Sequence, residues 1–271
     1  MEFELLLFSV NPDFIVPAVA AGVNGIIVDW EYIGKSERQA GADTQINHDT
    51  LDDLARVRAC TTAQVICRIN QFGPYTRQEI EAVVSAGADE LLLPMVERVE
   101  DVQQVLAWSH ERCKVGILIE TSAALNILEP LSQLPLQRVY VGLNDLAIQR
   151  HTPNLFTALI DGTLQNIRVH FSQRFGFGGL TLPGKGSPIP CNLLIAEMAR
   201  MNCHFSFLRR SFHADMQGRE LAREVPTIHA ALQQAHLRAP KQVLAEQQAL
   251  EHAIRAWHAQ NRPVSIQAPT Q

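Results

Sequence analysis

The sequence has few cysteines and no two of them at metal-binding spacing. Five cysteines occur among 271 residues, and none forms a C-x-x-C pair. An odd number without such a pair argues against a disulfide framework and against a zinc ribbon. We therefore interpret them as reduced, mostly buried thiols, which predicts a cytoplasmic protein. They are Cys60, Cys67, Cys113, Cys191 and Cys203.

Long apolar runs and an excess of positive charge are also missing. No stretch reaches the roughly 18 consecutive apolar residues of a membrane span. The opening MEFELLLFSV places acidic rather than basic residues before its apolar run, unlike a secretory signal. Lys and Arg total 23 against 28 Asp and Glu, a formal net charge of -5. We therefore expect neither a membrane nor a nucleic acid as a partner.

Short apolar runs recur along the chain, with helical patterns between them. Their continuous apolar character is typical of parallel strands buried on both faces. Helix candidates lie at 52–59, 76–88 and 100–111. Eight such units predict an α/β protein with a (β/α)₈ TIM barrel, and a doubly wound sheet is the alternative. The runs are 3–10, 25–30, 63–69, 89–94, 114–120, 138–143, 174–180 and 203–208.

The C-terminal part has a different pattern. Residues 241–260 predict an amphipathic helix after Pro240, with an apolar stripe made of Val243, Leu244, Leu250, Ile254 and Trp257. This helix is additional to the eight units, so its stripe must pack on the barrel or on a second subunit, which favours a homo-oligomer. We divide the chain into a barrel at 1–236 and a C-terminal helical extension and tail at 237–271.

Polar and charged residues follow the apolar runs where the predicted strands end. In a TIM barrel these carboxyl ends together form the active site. Charged groups beside buried strands are costly unless they are paired or bind a ligand, so several carboxylates and an arginine collected there require a functional explanation. The candidates are Asp29, Glu31, Arg68, Asn70, Glu120, Asp145, Gly178, Gly179 and Arg209.

The chemistry of this set points to a metal-assisted reaction on a carboxylate. Glu120 and Asp145 follow neighbouring predicted strands, and two carboxylates with water and substrate oxygens form a hard oxygen site that suits Mg²⁺. A 2-oxo acid can chelate such an ion, which then stabilises the enolate left when the adjacent bond breaks. Arg68 can clamp the same substrate, or it can pair with Asp29 or Glu31. Asp145 alone is also compatible with a helix cap.

Five phrases, in this order, resemble the HpcH/HpaI aldolase and citrate lyase β-subunit family of the phosphoenolpyruvate/pyruvate superfamily. In that family the Glu and the Asp of the last two phrases ligate Mg²⁺. The resemblance therefore implies metal ligands at Glu120 and Asp145, for Mg²⁺ or Mn²⁺, and a substrate carboxylate at Arg68. It covers roughly residues 3–213. The phrases are GIIVDWE with Lys35 and Arg38 following, CRIN, GADELLLPMVERVEDVQQV, ILIETSAALN and VGLNDLA.

The chain departs from the family pattern after Glu31. Aldolases of this family commonly place a catalytic His directly after that Glu, whereas Tyr32 follows it here. Asp29, Glu31 or His48 can take over the proton transfer, and His48 follows the second predicted strand. Asp29 and Glu31 can instead orient Arg68, and His48 can be a solvated histidine.

The residues after the last two predicted strands can have a functional or a purely structural role. Gly178 and Gly179 can expose backbone amides to a substrate anion, or they can simply form a tight turn. Arg209 and Arg210 point to opposite sides if the strand continues through them, so one of them is expected to face the barrel.

Together these features predict a metal-dependent carbon–carbon lyase that acts on a small carboxylate such as pyruvate or oxaloacetate. Arg68, Asn70, Gly178, Gly179 and Arg209 are the predicted substrate-binding residues. A transferase or hydrolase that uses phosphoenolpyruvate or an acyl-CoA at the same site is one alternative. A barrel that only binds a metabolite is another.

Overall fold

Eight strands alternate with helices and form the centre of the molecule. The computed structural model describes residues 3–35, 48–152 and 154–260. The strands are β1 (Glu4–Phe8), β2 (Gly25–Asp29), β3 (Gln64–Arg68), β4 (Glu90–Leu93), β5 (Lys114–Ile119), β6 (Arg138–Val141), β7 (Arg174–Phe177) and β8 (Phe205–Leu208). They pair in parallel in the order β7-β6-β5-β4-β3-β2-β1-β8.

The sheet closes into a barrel between β7 and β8, where pairing is less regular. Leu180, just beyond β7, forms a parallel bridge with Leu208, and the backbone N–H of His204 donates to the Phe175 carbonyl at 2.8 Å. The predicted TIM barrel is confirmed, and each of the eight predicted runs contains one strand. Several strands are shorter than the runs: β7 ends at Phe177, before the end of its run, and β8 begins at Phe205, after the start of its run.

Helices connect the strands and cover the outside of the barrel. They are α1 (Pro12–Ala20), α2 (Leu51–Cys60), α3 (Thr76–Ser85), α4 (Val99–Ser109), α5 (Leu128–Ser132), α6 (Leu143–Gln149), α7 (Thr163–His170), α8 (Cys191–Arg200), α9 (Ser211–Asp215), α10 (Leu221–His236) and α11 (Pro240–Gln260). No helix among the described residues is both long enough and apolar enough to cross a membrane.

Alternation along the strands divides the core into two parts. Residues such as Leu5, Ile26 and Val65 belong to the large cluster between strands and helices. Their neighbours Leu6, Ile27 and Ile66 belong to a separate cluster inside the barrel. Because side chains alternate with a period of two, the next residue on the inner face of a strand lies nearer its carboxyl end. On β2 and β3 these positions are Asp29 and Arg68.

A buried ionic network fills the opposite, amino-terminal end of the barrel. The side chain of Arg138 is fully buried, and it donates to Glu90 through Nε at 2.7 Å and Nη2 at 2.8 Å. It also donates to Glu4 at 3.1 Å and to Gln64 at 3.0 Å. Every charge in this network has a close opposite charge or a hydrogen bond. The network fills the barrel at the amino-terminal ends of the strands, away from the polar residues at their carboxyl ends.

The two last helices pack against the barrel. α10 lies against α1 and α8, so it completes the helical layer, and α11 is the additional helix that the sequence predicts. α11 packs on α8 and buries Leu250 and Ile254, while Leu244 stays 55% exposed. Leu250 and Ile254 of the predicted stripe are therefore covered by their own chain. The homo-oligomer stays a prediction.

Candidate active site at the carboxyl ends of the strands

Asp29 and Arg68 form an ion pair at the ends of β2 and β3. The two residues are opposite each other in the strand register. Arg68 donates to Asp29 through Nε at 2.8 Å and through Nη2 at 2.7 Å. Burial by itself raises the pKa of Asp29, but the charge and hydrogen bonds of Arg68, with a smaller effect of Lys35, lower it below the usual value. Asp29 is therefore a stable anion that orients the guanidinium.

Glu31 and Lys35 extend this pair into a buried group of four charges. Lys35 Nζ lies 3.1 Å from Glu31 Oε2 and 3.4 Å from Asp29 Oδ2. Arg68 Nη1 lies 3.2 Å from the same oxygen of Glu31. We did not predict a site role for Lys35, although its position four residues after Glu31 fits such a pair. The carboxylates of Asp29 and Glu31 thus pair with the positively charged side chains of Lys35 and Arg68 below the rim of the barrel.

Asn70 fixes the segment that carries Glu31. Its Oδ1 accepts hydrogen bonds from the backbone N–H groups of Tyr32 at 3.0 Å and Ile33 at 2.9 Å. Its Nδ2 donates to Glu79 Oε1 at 2.6 Å, and the residue is only 2% exposed. These contacts give Asn70 a positioning role. Its predicted contact with substrate stays a prediction.

Glu120 follows β5 and is buried at the mouth of the barrel. It is 2% exposed, and its Oε1 accepts one hydrogen bond, from the backbone N–H of Met95 at 3.0 Å. Burial, followed by the negative charges of Asp145 and Glu31, raises its pKa to about 8 against the opposing effect of Arg68. A side chain at position 142 would overlap Glu120 Oε2, so Gly142 is needed to leave space for this carboxylate. Few contacts of Glu120 therefore stabilise the ionised form of its carboxyl group.

Asp145 lies in the first turn of α6, which begins directly after β6. Because β5 and β6 are neighbours, Asp145 and Glu120 meet at the same part of the rim although they are distant in sequence. Both offer hard oxygen atoms, and their mutual repulsion is the condition that a divalent cation relieves. Among the described residues no group of three or more His, Cys, Asp or Glu side chains has metal-binding geometry.

An aromatic cluster lies inside the barrel beneath these charges. It consists of Phe8, Tyr140, Phe205 and Phe207, and we call it the aromatic floor. The guanidinium carbon of Arg68 lies 5.1 Å from the centre of the Phe8 ring, which is within the range of a cation–π contact. Tyr140 is a residue of the site that we did not predict from the sequence.

The family of the chain follows from a comparison with protein-family models. The model of the HpcH/HpaI aldolase/citrate lyase family matches residues 3–154. The chain belongs to this family. The match contains the strands that carry Arg68 and Glu120 as well as the helix that carries Asp145, and it ends before β7. The resemblance found in the sequence is therefore confirmed. No curated protein sequence matches the chain.

Solved structures show the same fold at low sequence identity. An HpcH/HpaI aldolase from Desulfitobacterium hafniense DCB-2 is 13% identical, with a TM-score of 0.56 over 80% of this chain and 90% of that one. Citrate synthase SbnG is 16% identical, with a TM-score of 0.56 over 80% and 91%. A tryptophan synthase from M. tuberculosis is 14% identical, with a TM-score of 0.57 over 85% and 93%. At these identities the likeness concerns the barrel alone.

His48, one of the candidate bases in this family member, lies in a pocket that the four residues of the charged group do not line. Its ring is 6.0 Å from that of Tyr32, and it is exposed. It lines a pocket whose other walls include Trp30, Asn70 and Glu79, and neither Arg68, Glu120 nor Asp145 is among them. A direct role in proton transfer stays a prediction for His48.

The candidates after β7 and β8 have their own local contacts. Gly179 adopts a φ of +115°, which supports the tight-turn reading. Arg209 lies beyond β8, so strand alternation does not decide where it points, contrary to our expectation. It donates to Ser211 Oγ at 2.6 Å and to the Ser187 carbonyl at 3.4 Å, and so joins α9 to the segment between β7 and α8.

Proposed function

We propose that this barrel is a Mg²⁺-dependent carbon–carbon lyase of the aldolase or citrate-lyase type that acts on a 2-oxo acid or a related carboxylate. The observation that carries the proposal is the juxtaposition of Glu120 and Asp145. Glu120 is almost fully buried, and its pKa is raised by burial and by the negative charges near it. A divalent cation between the two carboxylates offsets that repulsion, and Mg²⁺ or Mn²⁺ suits oxygen ligands of this kind.

Arg68 binds the substrate carboxylate in this proposal. Asp29 accepts two of the five N–H groups of its guanidinium and Glu31 lies 3.2 Å from Nη1, so two of the five N–H groups remain for an anion. The side chain of Arg68 is 15% exposed, whereas Asp29 behind it is 1% exposed. Asp29 therefore holds the guanidinium of Arg68 on its buried side, and a ligand can reach the guanidinium from the mouth of the barrel. The bound ion would supply the positive charge that stabilises an enolate formed beside that carboxylate.

Proton transfer falls to Glu31 more readily than to Asp29. Both oxygens of Asp29 accept hydrogen bonds from Arg68, and its pKa is lowered, so it is a weak base. Glu31 lies in the same buried group and near enough to Glu120 to raise its pKa. Its Oε2 contacts Arg68 at 3.2 Å, so it lies near a substrate carboxylate that this guanidinium would bind.

Calorimetric titration with Mg²⁺ tests the metal site. We expect binding by the full chain and a loss of affinity of at least about tenfold in Glu120→Gln. The matched control is Glu100→Gln, because Glu100 is 68% exposed and lies in α4. Binding that is absent from the unaltered chain, or that Glu120→Gln leaves unchanged, contradicts the proposal.

Product analysis separates the lyase from other enolate reactions. The chain is incubated with Mg²⁺ and, separately, with pyruvate plus an aldehyde, with oxaloacetate, with phosphoenolpyruvate and with an acyl-CoA. A new or broken carbon–carbon bond supports the lyase. Release of phosphate from phosphoenolpyruvate or of free CoA, without a change in the carbon skeleton, replaces it with a transferase or hydrolase.

A further inference from the structure

The aromatic floor connects Arg68 to Tyr140 through two rings. The Phe8 ring, below the guanidinium, meets the Phe207 ring edge to face with centres 5.5 Å apart. Phe207 in turn stacks on Tyr140, with centres 3.6 Å apart and planes 13° from parallel. Stacking of this kind fixes the plane of the Tyr140 ring and therefore the line along which its hydroxyl points.

The hydroxyl of Tyr140 reaches the level of the strand ends. A Cβ on Gly178, the first residue after β7, would lie 2.8 Å from the hydroxyl oxygen. The charges of Arg68 and Glu120 both act on the phenol, the first lowering and the second raising its pKa. The hydroxyl is therefore within range of the charges of the proposed carboxylate-binding arginine and of a proposed metal ligand.

This hydroxyl makes no hydrogen bond within the described part of the chain, and its oxygen is not fully buried, although Tyr140 as a residue is only 7% exposed. The hydroxyl of a largely buried Tyr usually has a hydrogen-bond partner, and this one can take water or a ligand as that partner. A ligand oxygen at the mouth of the barrel would supply that partner.

We propose that Tyr140 contacts the substrate and donates a hydrogen bond from its hydroxyl to an oxygen of the carboxylate or enolate that Arg68 binds. This inference rests on the proposed function, since it assigns one more contact at the same site. The ligand class is a small oxygen anion with its acceptor directed toward β6 and β7. No other residue of the inner face of β6 has a hydroxyl at this height.

Tyr140 can donate this hydrogen bond only while its phenol is protonated. Burial is the main effect on Tyr140 and raises its pKa well above the usual value. The group is therefore a neutral phenol across the range in which enzymes work, and it offers an O–H to an anion rather than accepting a proton from a substrate carbon. A donor aimed at an oxygen on which negative charge develops is the arrangement that stabilises enolates.

Gly178 has a specific reason to be glycine in this account. A methyl group at this position would stand against the Tyr140 hydroxyl, and stacking on Phe207 prevents the ring from moving away freely. The predicted substrate role of Gly178 is therefore interpreted as making space for a hydroxyl, not as offering a backbone amide.

Calorimetric binding of oxalate, an analogue of the pyruvate enolate, in the presence of saturating Mg²⁺ tests the proposal. Tyr140→Phe removes only the hydroxyl, and we expect oxalate to bind on the order of tenfold to hundredfold more weakly. Binding of Mg²⁺ alone should be unchanged. Tyr75→Phe is the matched control, because Tyr75 is 63% exposed, and it should bind oxalate like the unaltered chain.

The outcomes separate this inference from the proposed function. If the unaltered chain binds no oxalate with Mg²⁺, the proposed function fails and this inference fails with it. If the unaltered chain binds oxalate and Tyr140→Phe binds it equally well, only the role of Tyr140 is overturned. Weaker binding in Tyr140→Phe that is matched by Tyr75→Phe overturns it as well.

A double-mutant cycle with Gly178→Ala tests the position of the hydroxyl. The added methyl should weaken oxalate binding in the unaltered chain and have a smaller effect when Tyr140 is already Phe, because the atom that it meets is gone. Equal effects in both backgrounds contradict the stated geometry. Should Gly178→Ala not fold, the comparison of Tyr140→Phe with Tyr75→Phe still decides the proposal.

Discussion

Glu120 Oε2 occupies the space that a side chain at Gly142 would fill. Gly142 is the residue that joins β6 to α6, and Glu120 lies just beyond the neighbouring β5. The absence of a side chain at one strand end therefore allows a carboxylate from the next strand to turn toward Asp145. The proposed metal site depends on this glycine as much as on the two acids.

Gly142→Ala should consequently impair the metal site. The methyl group displaces the Glu120 carboxylate, so we expect Mg²⁺ affinity to fall by about tenfold or more. Gly184→Ala is the control, because a Cβ at Gly184 meets no atom within 4 Å. Calorimetry on both variants measures the effect. Equal Mg²⁺ affinity of the two variants contradicts the role assigned to Gly142.

Glu120 should make the metal-free protein less stable as the pH rises between about 4.5 and about 8. Burial and nearby negative charges raise the pKa of Glu120 from 4.5 to about 8. Within this range the folded state keeps a proton that the unfolded state has lost, so raising the pH favours unfolding. Urea unfolding in EDTA at several pH values measures this slope. Glu120→Gln should reduce the slope, and an identical slope in the variant contradicts the prediction.

Magnesium binding should have the opposite pH dependence. The ion binds the ionised carboxylate, so binding below pH 8 releases the proton of Glu120. We expect Mg²⁺ affinity to rise as the pH approaches 8 and to change less above it. Titrations in two buffers with different ionisation enthalpies count the protons released. No proton release at pH 6.5 would count against Glu120 as a ligand.

Arg68→Lys should weaken anion binding without removing the metal. A lysine keeps the charge but loses the planar fork that makes two hydrogen bonds to Asp29. We expect oxalate affinity to fall by about tenfold or more, while Mg²⁺ alone binds as before. Arg112→Lys is matched, since Arg112 forms a similar fork with Glu81 on the exposed surface. Full oxalate affinity in Arg68→Lys excludes Arg68 as the carboxylate ligand.

The network at the base of the barrel should affect stability and leave the site intact. Arg138→Met leaves Glu90 buried without its partner, so we expect a loss of about 3–5 kcal/mol in the free energy of unfolding. Arg255→Met removes an exposed ion pair and should cost less than about 1 kcal/mol. Urea unfolding measures both values. Folded Arg138→Met should still bind Mg²⁺, and a selective loss of metal binding would contradict the separation of the two ends.

The sequence predicts the barrel and the meeting of its acids because both depend on strand order. Glu120 and Asp145 follow consecutive strands, and consecutive strands are neighbours in a TIM barrel, so their proximity needs no knowledge of side chains. An ion pair between Arg68 and Asp29 could be considered from the sequence for the same reason. Patterns of strands and helices therefore suffice to collect the residues at the rim.

Other features depend on side-chain directions that a pattern does not contain. Tyr140 lies between two valines, so its sequence context indicates a core residue. Only the stacking on Phe207 shows the direction in which its hydroxyl points. Asn70 follows a strand as expected, yet its partners are set by the bend of the segment after β2. Arg209 was interpreted by strand alternation, which stops one residue earlier, at Leu208.

Metal-dependent formation of an enolate is tested most directly by exchange of the methyl protons of pyruvate in deuterated water, followed by proton NMR. We expect exchange with the full chain and Mg²⁺, none in EDTA, recovery when Mg²⁺ is restored, and a rate more than about tenfold lower in Glu120→Gln. Exchange at an unchanged rate in EDTA or in Glu120→Gln, or no exchange by a chain that binds both Mg²⁺ and oxalate, would contradict it.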